Sequence, residues 1–371
     1  MTVRTISAFV RHEWVLVLSA ATCLVFFFSR GALLDELSGP PYLAFIFLWL
    51  FTVLLGSALS VVRHADHLAL RLGEPYGTLI LTLSVTFIEV TSITAVMMHG
   101  ESNPTLTRDT LFAVVMIILN GMVGLSLLLG GWLHREQHYN LQGANAYLGV
   151  IVPLVVLSLI LPVFTQTVPG PFLSFPQEMF LVIVSVGLYC AFLAMQMSRH
   201  RGYFTLGDRI VEQPLSESAS TPALFARVAL LIAYLVPVVF LAEQLAHPVD
   251  YLIETLHAPA PLGGVIMAVL VATPEAVGAV RAAMANQLQR SINIFLGSVL
   301  STIGLTIPAM VLISHLVGED ILLGLEHTDI VMLSLTLLVS VITFASGHTN
   351  VMQGAVHLIL FATYLLLIVN P

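Results

Sequence analysis

Stretches of about 20 mostly apolar residues, each the length one helix needs to cross a bilayer, recur eleven times along the chain: 14–29, 42–62, 77–98, 110–132, 145–164, 178–197, 223–242, 261–280, 291–314, 329–346 and 352–369. The first and tenth are short. Polar residues gather in the loops between them, so the pattern predicts an all-α polytopic membrane protein of eleven transmembrane helices. One position breaks the pattern inside a run. The segment from Gly77 to Met98 carries a single charge, Glu89, about halfway along.

Composition agrees with this reading: of 371 residues 58% are hydrophobic and 9% charged, with a mean hydropathy of +0.97, far from the soluble average. The first run ends at Arg30 without a small-x-small cleavage site, and so reads as a retained helix. Cys23 and Cys190 both lie inside apolar runs, where small buried hydrophobes are expected rather than a disulfide or thiolate site. All 13 basic residues are arginine. With the N-terminus in the cytoplasm, only Arg30 and Arg108 fall outside; this bias sets the N-terminus in and, after eleven crossings, the C-terminus out. The formal net charge of -8 says little about partners, and no basic aromatic patch points to nucleic acid.

The chain also repeats itself. "PYGTLILTLSVTFIEV" from Pro75 and "PLGGVIMAVLVATPEA" from Pro261 align without a gap at a fixed offset, matching Pro75 to Pro261, Gly77 to Gly263 and Glu89 to Glu275. The following helices correspond as well, one opening at Arg108 and the other at Arg290. The expected organisation is an N-terminal segment, extra helix and outer loop (1–41), a five-helix repeat (42–197), a cytoplasmic linker (198–222) and a second five-helix repeat (223–371). Five spans is odd, so the second copy enters the membrane from the opposite side. Such inverted-topology repeats are a signature of secondary transporters, whose sites lie near the midplane.

Helical spacing indicates what surrounds each acid. At 100° per residue Thr78, Thr82, Glu89 and Ser92 share a face with Thr86 beside them. The matching face of the eighth span, Gly264, Ala268, Ala272, Glu275 and Gly278, is built of small residues that admit close approach of another helix. Pro274 removes a backbone donor next to Glu275. Ser298, Ser301, Thr302 and Thr306 in the ninth span, with Asn120 and Ser126 in the fourth, supply further oxygens. The expected cation- and proton-binding set is Glu89, Glu275, Asn120, Thr82, Ser298, Ser301 and Thr302, with the two glutamates as the metal-binding acids. Carboxylate, hydroxyl, amide and carbonyl oxygens suit Ca²⁺ or Na⁺ rather than soft transition metals. A carboxylate held out of water is neutralised by a proton or by a cation, so the two compete, and a protein presenting the pair to either side in turn is an antiporter. Intramembrane acids are functional by default. His357 is expected to be a satisfied core histidine, and the His64-Ala65-Asp66-His67 and His134/His138 spacings to be solvated surface. The acidic residues Asp250, Glu254, Glu319, Asp320, Glu326 and Asp329 gather on the outer side. With no HExxH or GxSxG in the chain, an enzyme is not expected; an uncoupled cation channel is the other transport class.

"GEPYGTLILTLSVTFIEV", "TLTRDTLFAVVMI" and "LVATPEAVGAVRAAMANQLQRSINIFLGSVLSTIGLTIPA" resemble the bacterial calcium/proton exchangers of the calcium:cation antiporter superfamily, and more narrowly the branch that also exports sodium and potassium for protons. The resemblance implies two inverted five-helix repeats, a central cation site and one essential acid per repeat, here Glu89 and Glu275. It implies no resident cofactor, and as partners only inner-membrane lipid, the transported Ca²⁺, Na⁺ or K⁺ and protons; homo-oligomerisation stays open. Two departures stand out. Thr86-Phe87-Ile88 precedes Glu89 where the superfamily usually carries Asn-Ala-Thr, and the 198–222 linker is close to neutral where many relatives are strongly acidic.

Overall fold

In a computed structural model the structure describes residues 13–29, 31–34, 37, 39–72, 76–98, 104–198, 200–205 and 221–370. Most of the linker (206–220), the first twelve residues and Pro75 lie outside the described residues, as does the side chain of Thr78. The fold is helical: α1 (Trp14–Ser29), α2 (Pro40–Leu72), α3 (Tyr76–Met97), α4 (Leu106–Met116) running through a π-helical turn (Ile117–Met122) into α5 (Val123–His134), α6 (Leu141–Val155) with a π turn after it, α7 (Phe175–Met197), α8 (Thr221–Asp250), α9 (Pro261–Met284), α10 (Leu288–Ser301) running through a second inserted π turn (Thr302–Thr306) into α11 (Ile307–Val317), α12 (His327–Thr343) and α13 (Val351–Val369). Among the described residues nine helical stretches are long and apolar enough to cross a membrane, and the two shorter ones, Trp14–Ser29 and His327–Thr343, stand at the first and tenth predicted runs. Large apolar side chains such as Trp132, Phe28 and Leu316 are exposed, as lipid-facing positions require.

The second helix is much longer than its apolar run. It continues past residue 62 to Leu72 because Val61, Ala65 and Leu68 keep one stripe buried through the polar segment. His64 is therefore buried rather than solvated. Glu13 Oε2 accepts hydrogen bonds from Arg63 at 2.8 Å and from the Tyr234 hydroxyl at 2.7 Å, with His64 Nε2 at 3.3 Å. Burial on its own raises the Glu13 carboxyl, but the Tyr234 hydrogen bond with the Arg63 and His64 interactions outweighs it and leaves the group below its ordinary value.

The chain divides into two compact units. The first contains residues 1–102 and 215–258, and the second 103–214 and 259–371. In the first, α2 packs along α8 and α3, and α1 lies against α2 and α8. In the second, the continuous helix α4–α5 is the core: every residue of α4 is buried, α4 packs on α9, α5 on α13, and α10 on α9 and α6. Glycines permit the closest crossings. A methyl group on Gly264 would sit 2.7 Å from Thr110 N, and one on Gly354 would run into Leu128 N.

Loop contacts sort the second unit into two ends. At one end the antiparallel pair β1 (Gln137–His138) and β2 (His348–Thr349) joins the loop after α5 to the loop after α12. Gln289 bonds Asn140 N at 2.7 Å and Asn293 donates to Phe204 O at 2.8 Å at the same end. At the other end Leu322 N donates to Pro104 O, Gly324 N to Pro171 O and Leu325 N to Leu159 O. His134 and His138 do not form a pair of their own: His134 contacts Met284 O, and His138 faces His348 across the ribbon.

Candidate functional site

Glu89 lies in the second half of α3, in the first unit, and is 1% exposed. One turn to either side, Thr86 and Ser92 are also buried, and neither hydroxyl has a hydrogen-bond partner among the described residues. That is unusual. Serines and threonines in apolar helices ordinarily bond a carbonyl one turn back, as Ser84 does to Ile80 O at 2.7 Å and Thr91 to Phe87 O at 2.7 Å. Buried polar atoms left open call for an explanation, and here they flank a carboxylate. Thr82, on the predicted face, is half-buried.

Glu275 lies in α9, in the second unit, half-buried. Its Oε2 accepts a hydrogen bond from the hydroxyl of Ser298 in α10. Pro274 sits inside the helix and leaves the Leu270 carbonyl without its usual donor, so an acid, a hydroxyl and a freed backbone oxygen fall within about a turn. The small residues around Glu275 do what their size suggested. Gly264 brings α9 against the backbone of Asp109 and Thr110, and Ala268, Ala272 and Ala279 are buried. Ser301, one turn after Ser298, is buried but donates to Ser298 O at 2.9 Å. Thr302 and Thr306 are buried at the two ends of the second inserted π turn.

Asn120 occupies the first π turn and is fully buried; that turn packs on α9 and α10. Its amide nitrogen donates to Thr336 in α12 at 2.8 Å, while Oδ1 has no partner among the described residues. Its amide nitrogen is thus held by Thr336, with one acceptor oxygen still open. A π turn leaves backbone groups irregularly paired and is frequent at functional sites. His357 is a fully buried core histidine with Nε2 3.0 Å from the Thr343 hydroxyl, but Nδ1 has no hydrogen-bond partner among the described residues, so the ring is only half satisfied where full satisfaction was expected.

No group of three His, Cys, Asp or Glu side chains among the described residues is arranged to hold a metal ion; oxygen donors around each glutamate would therefore come mainly from hydroxyls, amides and carbonyls. Sequence patterning passed over a buried ion pair. Arg108 and Asp109 in the first turn of α4 are each 5% exposed, bonded at 2.7 Å. Adjacency of opposite charges at a helix start reads as a solvated loop end, which is why the pair went unnoticed.

Comparison with known proteins bears on the fold and the family. The profile of the sodium/calcium exchanger protein family matches residues 42–198 and 227–370. The chain belongs to the sodium/calcium exchanger family. It is thus a multi-pass membrane antiporter for cations. Among this exchanger's relatives, the sodium-potassium/proton antiporter ChaA of Escherichia coli is 37% identical over 361 residues, 96% of this chain and 97% of the relative. The Sinorhizobium fredii protein y4hA, provisionally described as an ionic transporter, is 44% identical over 321 residues, 86% and 87% of the two chains. The solved structure of native YfkE shares the fold, with a TM-score of 0.73 at 19% identity over 96% of this exchanger and all of that chain.

Proposed function

We propose that this exchanger expels Ca²⁺, together with Na⁺ and K⁺, across the plasma membrane in exchange for protons, with Glu89 and Glu275 each holding a cation or a proton in alternation. The observation that carries the reading is the setting of the two acids: each stands within an apolar helix beside hydroxyl oxygens, Thr86 and Ser92 for Glu89 and Ser298 for Glu275. Carboxylates placed so must be neutralised, and hydroxyls can solvate a cation without adding fixed charge. Asn120, Thr82, Ser301 and Thr302 complete the proposed set, with Asn120 Oδ1 the open acceptor among them.

The layout proposed is two inverted repeats, 42–197 and 223–371, joined by the 198–222 linker. It is supported by two separate matches of one family profile at nearly those limits. It is supported too by the π turns, since aligning Arg108 with Arg290 superimposes Asn120 on Thr302, each within a π turn of the helix after its glutamate helix. The arginine distribution favours a cytoplasmic N-terminus and an external C-terminus. The family name favours calcium and sodium, whereas the name of the Escherichia coli relative favours sodium and potassium, so a monovalent antiporter with little Ca²⁺ activity is the second reading.

The test is a preformed pH gradient in inverted membrane vesicles, acid inside, with Ca²⁺, Na⁺ and K⁺ added singly across a range of pH. Dissipation of the gradient by each cation, abolished in Glu89→Gln and in Glu275→Gln, is the expected result. Response to Na⁺ and K⁺ alone selects the second reading, and silence toward all three in an active, oriented preparation rejects both.

A further inference from the structure

A cavity of about 280 Å³ opens at the end of the second unit where α4, α9, α12 and α13 meet, and Asp109, Glu326, Asp329 and Tyr364 line it. Its remaining walls are largely apolar, with Phe112, Pro261 and Leu367 among them. The charges do not balance. Three carboxylates face one guanidinium, and that guanidinium is already committed: Arg108 bonds Asp109 Oδ1 at 2.7 Å, donates to Gly324 O at 3.2 Å and lies 3.5 Å from Glu326. Asp109 is held further by the Thr105 hydroxyl at 3.1 Å. Nothing in this arrangement neutralises Asp329.

A separate observation points to an occupant. Tyr364 is 4% exposed, stacked edge-on against Phe112 with ring centroids 5.4 Å apart, and its hydroxyl has no hydrogen-bond partner among the described residues. A buried phenol ordinarily finds a partner; this one borders a cavity shared with two aspartates. That cavity has room for an ion together with several waters. Since no three acids here converge tightly enough to hold a bare ion, the fit is to a cation that keeps much of its water.

We propose that this cavity is a second cation site, distinct from Glu89 and Glu275, which holds a hydrated divalent cation between Asp109 and Asp329, with Glu326 at its rim and the Tyr364 hydroxyl bonded to the cation's water. Glu326 suits a rim position because its side chain is 71% exposed. Divalent charge matches the net charge of the cluster, three carboxylates against one guanidinium, and a hard ion such as Ca²⁺ or Mg²⁺ takes carboxylate and water oxygens. Lying at a loop end of the unit, the site can hold a cation near the mouth of a transport path without being the transport site.

Mn²⁺ serves as probe, because free and bound ion are separated by electron paramagnetic resonance on purified full-length protein. In the Glu89→Gln/Glu275→Gln double variant one Mn²⁺ per chain is expected to remain, displaced by Ca²⁺. Adding Asp329→Asn is expected to weaken that binding at least tenfold, and adding Tyr364→Phe two- to fivefold. Tyr364→Phe keeps the ring packing, so it covers the case in which the aspartate variant fails to fold. Loss of all Mn²⁺ binding in the double variant, or a titration that neither cavity substitution changes, overturns the proposal. Because the readout is binding, a negative transport assay would leave this result standing.

Discussion

The Ser298 hydroxyl can be given a magnitude. It donates to the Glu275 carboxylate from a neighbouring helix, and a hydrogen bond to a charged group contributes about 1.5–3 kcal/mol. The bond favours the ionised carboxylate, the form a cation needs. Ser298→Ala should therefore raise the half-saturating cation concentration at fixed pH by roughly tenfold, taking the lower end of that range, while Ser298→Thr retains most of the wild-type value. A cation titration in the vesicle assay measures both, and equal behaviour of the two variants would deny the bond a part in binding. The acids themselves were readable from the chain, since a lone charge in an apolar run is costly to bury and stands out from every residue around it. Their surroundings were only half readable. Spacing put Thr82, Thr86 and Ser92 near one face, but which hydroxyls go unpaired depends on burial and rotamer, and those turned out to be Thr86 and Ser92. Asp109 was invisible because a charge beside a charge of opposite sign looks solvated, and only the fold shows that α9 covers it.

Helices were legible in number and approximate position because hydropathy over about 20 residues reports directly on burial in lipid. Their ends were not. The second helix runs ten residues past its apolar stretch on the strength of a narrow buried stripe and the Glu13 cluster, a contact made across fifty positions of sequence. The π turns have no compositional signature either. Small residues were the more reliable guide: the Gly264 face was expected to admit a helix and does. Gly264→Ala would put a carbon 2.7 Å from the backbone of Asp109 and of Thr110, and backbone cannot rotate away. Separating α9 from α4 should cost about 1–3 kcal/mol, read as a lowered melting temperature in detergent. Gly187→Ala in α7 is the control, since its added methyl meets nothing within 4 Å; it should leave the melting temperature unchanged or slightly raised, the ordinary result for glycine in a helix. Equal effects from the two substitutions would mean that the crossing is looser than the structure has it.

At the scale of the molecule, the pairings that sort the second unit into two ends make a demand on the path of the chain. The β1–β2 ribbon ties residue 138 to residue 348, and between them the chain passes through α6, α7, α8, α9, α10–α11 and α12. Six crossings are even, so both strands must lie on one side of the membrane, as the pairing requires. Between Pro104 and Leu322, joined at the opposite end, the count is again six. The count fixes which loops share a side, and the arginine bias then assigns the ribbon side to the cytoplasm. These steps separate experimentally. With Cys23 and Cys190 replaced by alanine, single cysteines at the exposed positions Glu136 and Ser346 should react with an impermeant maleimide only in inverted vesicles. Cysteines at the exposed positions Gln166 and Asp320 should react only in intact cells. Reversal of all four would overturn the orientation and leave the fold intact. A split between Glu136→Cys and Ser346→Cys would break the fold itself, because no helical path can pair β1 with β2 through a bilayer.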